Sequence, residues 1–262
     1  MATGVRRYVR ALGSNRQASL ISRVRTARFG ITVFAVLFTG TAIADNVHLD
    51  ANRLKLGHFK FRTIQDGKDV GEDEITVQKS PVTGNFEFAD EIEGKFAQQW
   101  SATTTPQFKP IAAKLAFGTG DARRTAFEFL YKDGRAIGTT TPRTQAAQSQ
   151  ATPFDVPVPA DTVDQRIDWA SVMTLDLKAG GHFEYHVFDP GTGVSRISIH
   201  ISGPETIKVP AGSYEAMRIS YRIEKANDTE VYQVLTNRNG PRMLLREEFQ
   251  NGAVTDLIGI RD

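Results

Sequence analysis

The chain has 262 residues, 40% of them hydrophobic, with 32 Lys and Arg against 30 Asp and Glu and a formal net charge of +2. It contains no cysteine, which excludes disulfides, thiolate catalysis, thiolate-ligated zinc, iron–sulfur clusters and a lipidated cysteine. Residues 1–44 hold seven arginines and no acid, so removing them leaves 25 basic and 30 acidic residues; the mildly acidic remainder gives no reason to expect nucleic acid as a partner.

The chain begins with Arg6, Arg7, Arg10, Arg16, Arg23, Arg25 and Arg28, then an apolar run from Phe29 through Phe38 that ends in Ala42-Ile43-Ala44 before Asp45. Charged region, apolar core and small-x-small site in that order read as a cleaved signal segment. Phe29 to Ala44 is 16 residues, short of the about 20 that a spanning helix needs. The expectation is cleavage after Ala44, a periplasmic or secreted product, and no stable membrane anchor after cleavage.

Residues 45–262 then read as a single β domain. Alternating apolar residues predict strands over 54–64, 72–79, 85–96, 100–105, 111–117, 126–131 and 136–141, separated by Asp66-Gly67-Lys68, Pro81 to Gly84 and Lys132 to Arg135. Residues 142–160, rich in Gln, Ala, Thr and Pro, predict a long loop. Ile167, Val172 and Leu175 fall near helical spacing and predict one helix over 164–177, capped by Asp161 or Asp164. Strands follow over 182–188, 194–202, 206–209, 214–224, 230–236, 243–250 and 253–260, with Asn251-Gly252 the strongest hairpin signal. The fold class is mainly β, an antiparallel sheet with one short helix.

The stretch from Glu205 to Ala216 runs as a strand, a Val209-Pro210-Ala211-Gly212 corner, the aromatic Tyr214 and a second strand. Tyr232-Gln233-Val234-Leu235 and Gly240-Pro241-Arg242-Met243-Leu244-Leu245 follow. This pattern resembles an exported bacterial domain-of-unknown-function family, numbered 3108, similar in architecture to the LolA/LolB-like lipoprotein-localisation superfamily. The resemblance covers 54–260 and is densest over 199–260. It implies a curved half-barrel sheet around an apolar groove. This chain lacks the lipidated cysteine of LolB-type members, and the family carries no catalytic residues to transfer.

Candidate sites are few. His182, Glu184 and His186 share one face of a strand, and a hairpin pairing Phe188 with Val194 sets His182 opposite His200 and His186 opposite Arg196. Those four are weak metal-ligand candidates, because Arg196 would repel a cation. There is no Gly-x-Ser-x-Gly elbow, and Gly118-Thr119-Gly120 lacks the rest of a phosphate loop. Asp90-Glu91 and Glu247-Glu248 point to opposite faces and read as solvated charges. The chain is therefore expected to be no enzyme and to need no cofactor. Phe59, Phe61, Phe88, Trp100, Phe117, Phe129, Tyr131 and Trp169 are the candidate lining of an apolar site, with both tryptophans at its rim. The leading expectation is an envelope protein that binds a lipid, an acyl chain or a similar amphipathic ligand. The alternatives are an envelope scaffold binding another protein through sheet edges, and a metal-dependent enzyme.

Overall fold

The computed structural model describes residues 47–92, 97–141, 150–226 and 228–261. The predicted leader and residues 142–149 lie outside them. Alternating side chains build β1 (Gly57–Gln65), β2 (Lys68–Lys79), β3 (Phe86–Ile92), β4 (Gln98–Thr104), β5 (Pro110–Phe117), β6 (Arg124–Lys132), β7 (Arg135–Thr140) and β8 (Thr152–Pro157). After β9 (Thr162–Asp164) comes a 3-10 turn, Gln165–Ile167, then α1 (Asp168–Met173). The chain continues as β10 (His182–Asp189), β11 (Gly193–Val209), β12 (Gly212–Glu224), β13 (Thr229–Asn237), β14 (Leu244–Phe249) and β15 (Val254–Arg261).

All fifteen strands form one sheet in the order β8-β7-β6-β5-β4-β3-β2-β1-β15-β14-β13-β12-β11-β10-β9. The pairs are antiparallel except β9 with β10. The chain starts mid-sheet, meanders to one end at β8, crosses to the other at β9, and returns to close β15 against β1. β8 and β9 do not pair, so the curved sheet stays open. β9 nevertheless lies against β5, and the 3-10 turn against β4, on the concave side.

Period-two alternation puts whole rows of side chains on that concave side. Val77, Phe88, Ala102, Ala113, Phe129, Gly138 and Phe154 stand in register across β2 to β8. A neighbouring row runs Phe59, Ile75, Asp90, Trp100, Leu115 and Phe127. The outer face carries cross-strand charges: Arg62 with Glu72, Lys114 with Glu128, Arg218 with Glu205 and Glu248, and Arg246 with Asp256. Among the described residues no helix is long and apolar enough to cross a membrane.

The structure revises three sequence expectations. The loop predicted over 142–160 contains β8, whose Phe154 and Val156 alternate between exposed prolines Pro153 and Pro157. Proline is tolerated there because β8 is an edge strand. β11 runs unbroken through Pro204, absorbing the interruption as an irregularity between Ile201 and Gly203. The helix is only six residues: Asp164 caps the 3-10 turn instead, its side chain accepting from Arg166 N at 2.9 Å. Thr174 closes the other end, its hydroxyl donating to Ser171 O at 2.7 Å. So short a helix does not persist by itself in water. All six of its residues are buried, and packing inside the sheet is what holds it.

Candidate functional site

The concave face is filled by the chain itself. Residues 162–175 lie across it, with Val163, Ile167, Ala170, Val172, Met173 and Leu175 almost wholly buried. Two sets of polar contacts hold this plug.

The first set closes the seam between the ends of the sheet. Arg166 is 2% exposed and donates to Asp164, which is 0% exposed, through Nε and Nη2, and to Asp189 at 2.8 Å. Tyr131 Oη donates to Asp164 at 2.9 Å. The guanidinium lies over the rings of Phe127 and Phe129, 4.6 and 5.4 Å from their centroids. Burial alone would lower the Arg166 pKa, but Asp164 and Asp189 hold it above its ordinary value. Burial, then the charge of Asp164, pushes the Tyr131 hydroxyl well above the usual tyrosine value. Phe129 completes the seam by touching Phe154 of β8 and Phe188 of β10 edge-on, both at 5.5 Å.

The second set meets the C-terminal end of α1. Arg53 Nη1 donates to Thr174 O at 3.1 Å. Arg242 Nη1 donates to Met173 O at 2.5 Å and to Leu175 O. Cations at a helix C-terminus satisfy its last carbonyls and oppose its dipole. Burial and the nearby charge of Arg53 push the Arg242 pKa down to about 10. Midway along the plug, the Ser171 and Tyr185 hydroxyls bond each other, and Trp169 Nε1 donates to Arg166 O at 3.0 Å.

Between α1 and β1–β3 one gap remains. It is lined by Leu54, Phe59, Phe61, Ile75, Val77, Phe88, Trp169, Ala170, Met173, Met243 and Leu244, with Lys55 and Arg242 the only charged residues, and encloses about 10 Å³. That is room for about one water. Its lining offers mostly carbon, so it favours apolar matter over water. Four predicted site residues, Phe59, Phe61, Phe88 and Trp169, meet at this gap. Phe129 and Tyr131 belong to the seam. Phe117 stands opposite Gln98 and Arg124 at a different level of the sheet. Neither tryptophan is at a rim: Trp100 is 2% exposed and donates to Asp90 Oδ2 at 2.6 Å, and Trp169 is 6% exposed. Each indole N–H finds its acceptor inside the fold.

The paired carboxylates do split between faces, but not into solvent alone. Asp90 is buried beside Trp100, while Glu91 pairs outside with Arg123 at 2.8 Å. Glu247 is 1% exposed and accepts from Tyr221 Oη at 3.2 Å, while Glu248 meets Arg218. A buried donor makes each inward carboxylate tolerable: the Trp100 indole on the adjacent strand for Asp90, the Tyr221 hydroxyl two strands away for Glu247.

The histidine face has the expected register, with His182 opposite His200 and His186 opposite Arg196. The two opposed rings lie 4.6 Å apart. His186 Nδ1 bonds Asp161 at 2.8 Å, and Arg196 lies 3.6 Å from Glu184 and 3.0 Å from Glu224. Among the described residues no three His, Asp or Glu side chains converge as metal ligands. A second hollow, about 520 Å³, lies on the outer face across β1–β4 and is lined by polar residues including His58, Lys60, Glu72, Glu74 and Glu91. Those acids pair with Arg62, Arg123 and Arg261, so their charges are already matched across the strands.

The gap-lining residues that sequence reasoning passed over include Lys55, Met173, Arg242 and Met243. Arg242 carried a signal, as a lone charge inside the apolar Pro241 to Leu245 run.

Comparison with known proteins gives a family. The sequence matches the family described as a protein of unknown function, DUF3108, over residues 46–258. No curated protein matches. Among solved structures, a β-barrel-like protein of the domain of unknown function DUF1849 from Brucella abortus is similar at a TM-score of 0.53 and 11% identity, covering 83% of this chain and 100% of that one. An exported protein with a YmcC-like fold from Bacteroides fragilis has a TM-score of 0.37 and 11% identity, over 82% of this chain and 100% of its own. A lipoprotein from Parabacteroides distasonis has 0.31 and 12%, over 82% and 99%. None of the three is described as a LolA or LolB protein, and the first supports the barrel-like fold alone.

Proposed function

The chain belongs to the DUF3108 family, and on that premise we propose that it is an exported envelope protein that binds an apolar or amphipathic ligand between α1 and β1–β3, without catalysing a reaction. The observation that carries this reading is the gap itself. The sheet there presents carbon-rich side chains to a six-residue helix that leaves them incompletely covered. At about 10 Å³ the gap admits a hydrocarbon chain only as Trp169 and Met173 swing aside. Methionine, unbranched and adaptable, suits that role. Export is supported by the leader, and absence of chemistry by the lack of a nucleophile–base pair or metal cluster in the motifs. The scaffold alternative has less to stand on, because β8, an edge strand, carries Pro153 and Pro157, which blunt strand addition.

Native mass spectrometry and solvent extraction of residues 45–262, purified from their own envelope, test the reading. One bound apolar molecule per chain is expected, with Trp169 fluorescence changing when it is stripped and restored. A chain that carries no ligand and binds no added single-chain lipid would end it.

A further inference from the structure

The mouth of the gap has a charge pattern of its own. A parallel bridge joins Leu54 to Arg242, with Arg242 N donating to Arg53 O at 2.6 Å and Lys55 N donating to Arg242 O at 2.7 Å. This bridge gathers Arg53, Lys55 and Arg242 at one place, and Lys55 and Arg242 line the gap directly. The described acids nearby, Asp50 and Asp176, each have a closer partner than Arg242. Asp50 accepts from Asn52 N at 3.0 Å and lies 3.8 Å from Arg53; Asp176 bonds Lys178 at 2.7 Å. Arg242 has no carboxylate within ion-pairing distance among the described residues: its recorded acceptors are the carbonyls of Met173 and Leu175, both taken by Nη1. Asp176 and Asp50 act on Arg242 only at longer range, and burial together with the charge of Arg53 outweighs them, so its pKa is depressed.

We propose that the ligand is an amphipathic anion, a single apolar chain ending in a carboxylate or phosphate, whose head group sits against Arg242 with Arg53 and Lys55 beside it. This rests on the reading above that the gap takes an apolar chain. The planar guanidinium fork matches either head group, and an anion there gives Arg242 the close counter-charge that Asp176 and Asp50 supply only at longer range. A neutral lipid would fill the same gap and leave Arg242 as it is.

Isothermal titration of residues 45–262 with palmitate, hexadecyl phosphate, hexadecanol and inorganic phosphate separates the possibilities. Palmitate or hexadecyl phosphate should bind at least about tenfold more tightly than hexadecanol, as a charge-assisted contact allows; whichever binds better identifies the head group. Arg242→Gln should abolish that preference, read as the ratio of palmitate or hexadecyl phosphate affinity to hexadecanol affinity in the same variant. Should Arg242→Gln lose its fold with its helix contacts, Lys55→Gln should reduce the preference instead. Equal affinity for palmitate, hexadecyl phosphate and hexadecanol would overturn the head-group assignment and leave the apolar site standing. Inorganic phosphate binding as tightly as hexadecyl phosphate would overturn the amphipathic ligand in favour of a plain anion site. Binding of no chain-bearing probe would overturn both readings.

Discussion

Arg166 is the residue on which the inside of the sheet most depends. It is almost wholly buried, and among the described residues its charge is paired with Asp164 and Asp189. Removing one partner of a buried pair leaves the other charged and unsolvated, which costs about 3–5 kcal/mol. Arg166→Met should therefore destabilise by that amount in urea unfolding. Adding Asp164→Asn should recover most of the loss, since Asp189 is 25% exposed and can hydrate. If the double variant is no better than the single one, the pair is not what holds the seam. A smaller case is Trp100, whose indole donates to the buried Asp90. Trp100→Phe keeps a ring but withdraws the donor, and should cost about 1–3 kcal/mol in the same assay.

At the scale of elements, close approach decides which substitutions the sheet accepts. A Cβ on Gly138 would lie 2.2 Å from Glu128 O and 2.3 Å from Phe129 Cβ, so β6 and β7 would have to separate. Gly138→Ala should lower stability by about 3 kcal/mol. Gly134, in the turn between the same strands, has φ +72° and nothing within 4 Å. Gly134→Ala should cost only about 1 kcal/mol of backbone strain. Thermal unfolding of the two variants side by side should show that difference, and equal losses would mean that β7 relaxes freely. This contrast was not legible in the sequence, where Ala136 to Thr141 reads simply as a strand. Strand positions and the β10–β11 register were legible, because apolar alternation and the Asp189-to-Gly193 turn specify them locally. β8 was hidden because its prolines mimic a loop. The plug was half legible. Helical spacing was visible around Ile167 and Val172, but the burial of Asp164 and Arg166 depends on Tyr131 of β6 and Asp189 of β10, which only the rolled sheet supplies.

For the whole molecule, that rolling converts local signals into a filled interior, and it explains why the aromatic site residues were recognisable as inward-facing while their surroundings were not. Those on strands face inward by the parity of their own strand, and Trp169 by its place on α1. What each meets there depends on which distant element arrives. The same interior makes alkaline stability a global readout. Tyr131 and Tyr185 are both held above the ordinary tyrosine value of 10.0, Tyr131 by burial and the charge of Asp164, Tyr185 by burial. Unfolded, each would ionise near 10.0. A raised folded value means stability is fully present below that pH and is lost above it, because only the unfolded chain releases the proton. Each tyrosine then contributes a fall of about 1.4 kcal/mol per pH unit. Arg242, lowered to about 10, acts in the opposite sense, since the folded chain sheds that proton first. Arg242 is only half-buried, so solvent screens its effect and the two tyrosines prevail, leaving a net fall in stability above pH 10. Urea midpoints should hold steady up to that pH and then drop. Tyr131→Phe or Tyr185→Phe should flatten the drop, and Arg242→Gln should steepen it. Tyrosinate absorbance from these two residues should rise together with unfolding. If it rises near pH 10 while the far-ultraviolet spectrum stays folded, the plug does not exclude water from the interior as described.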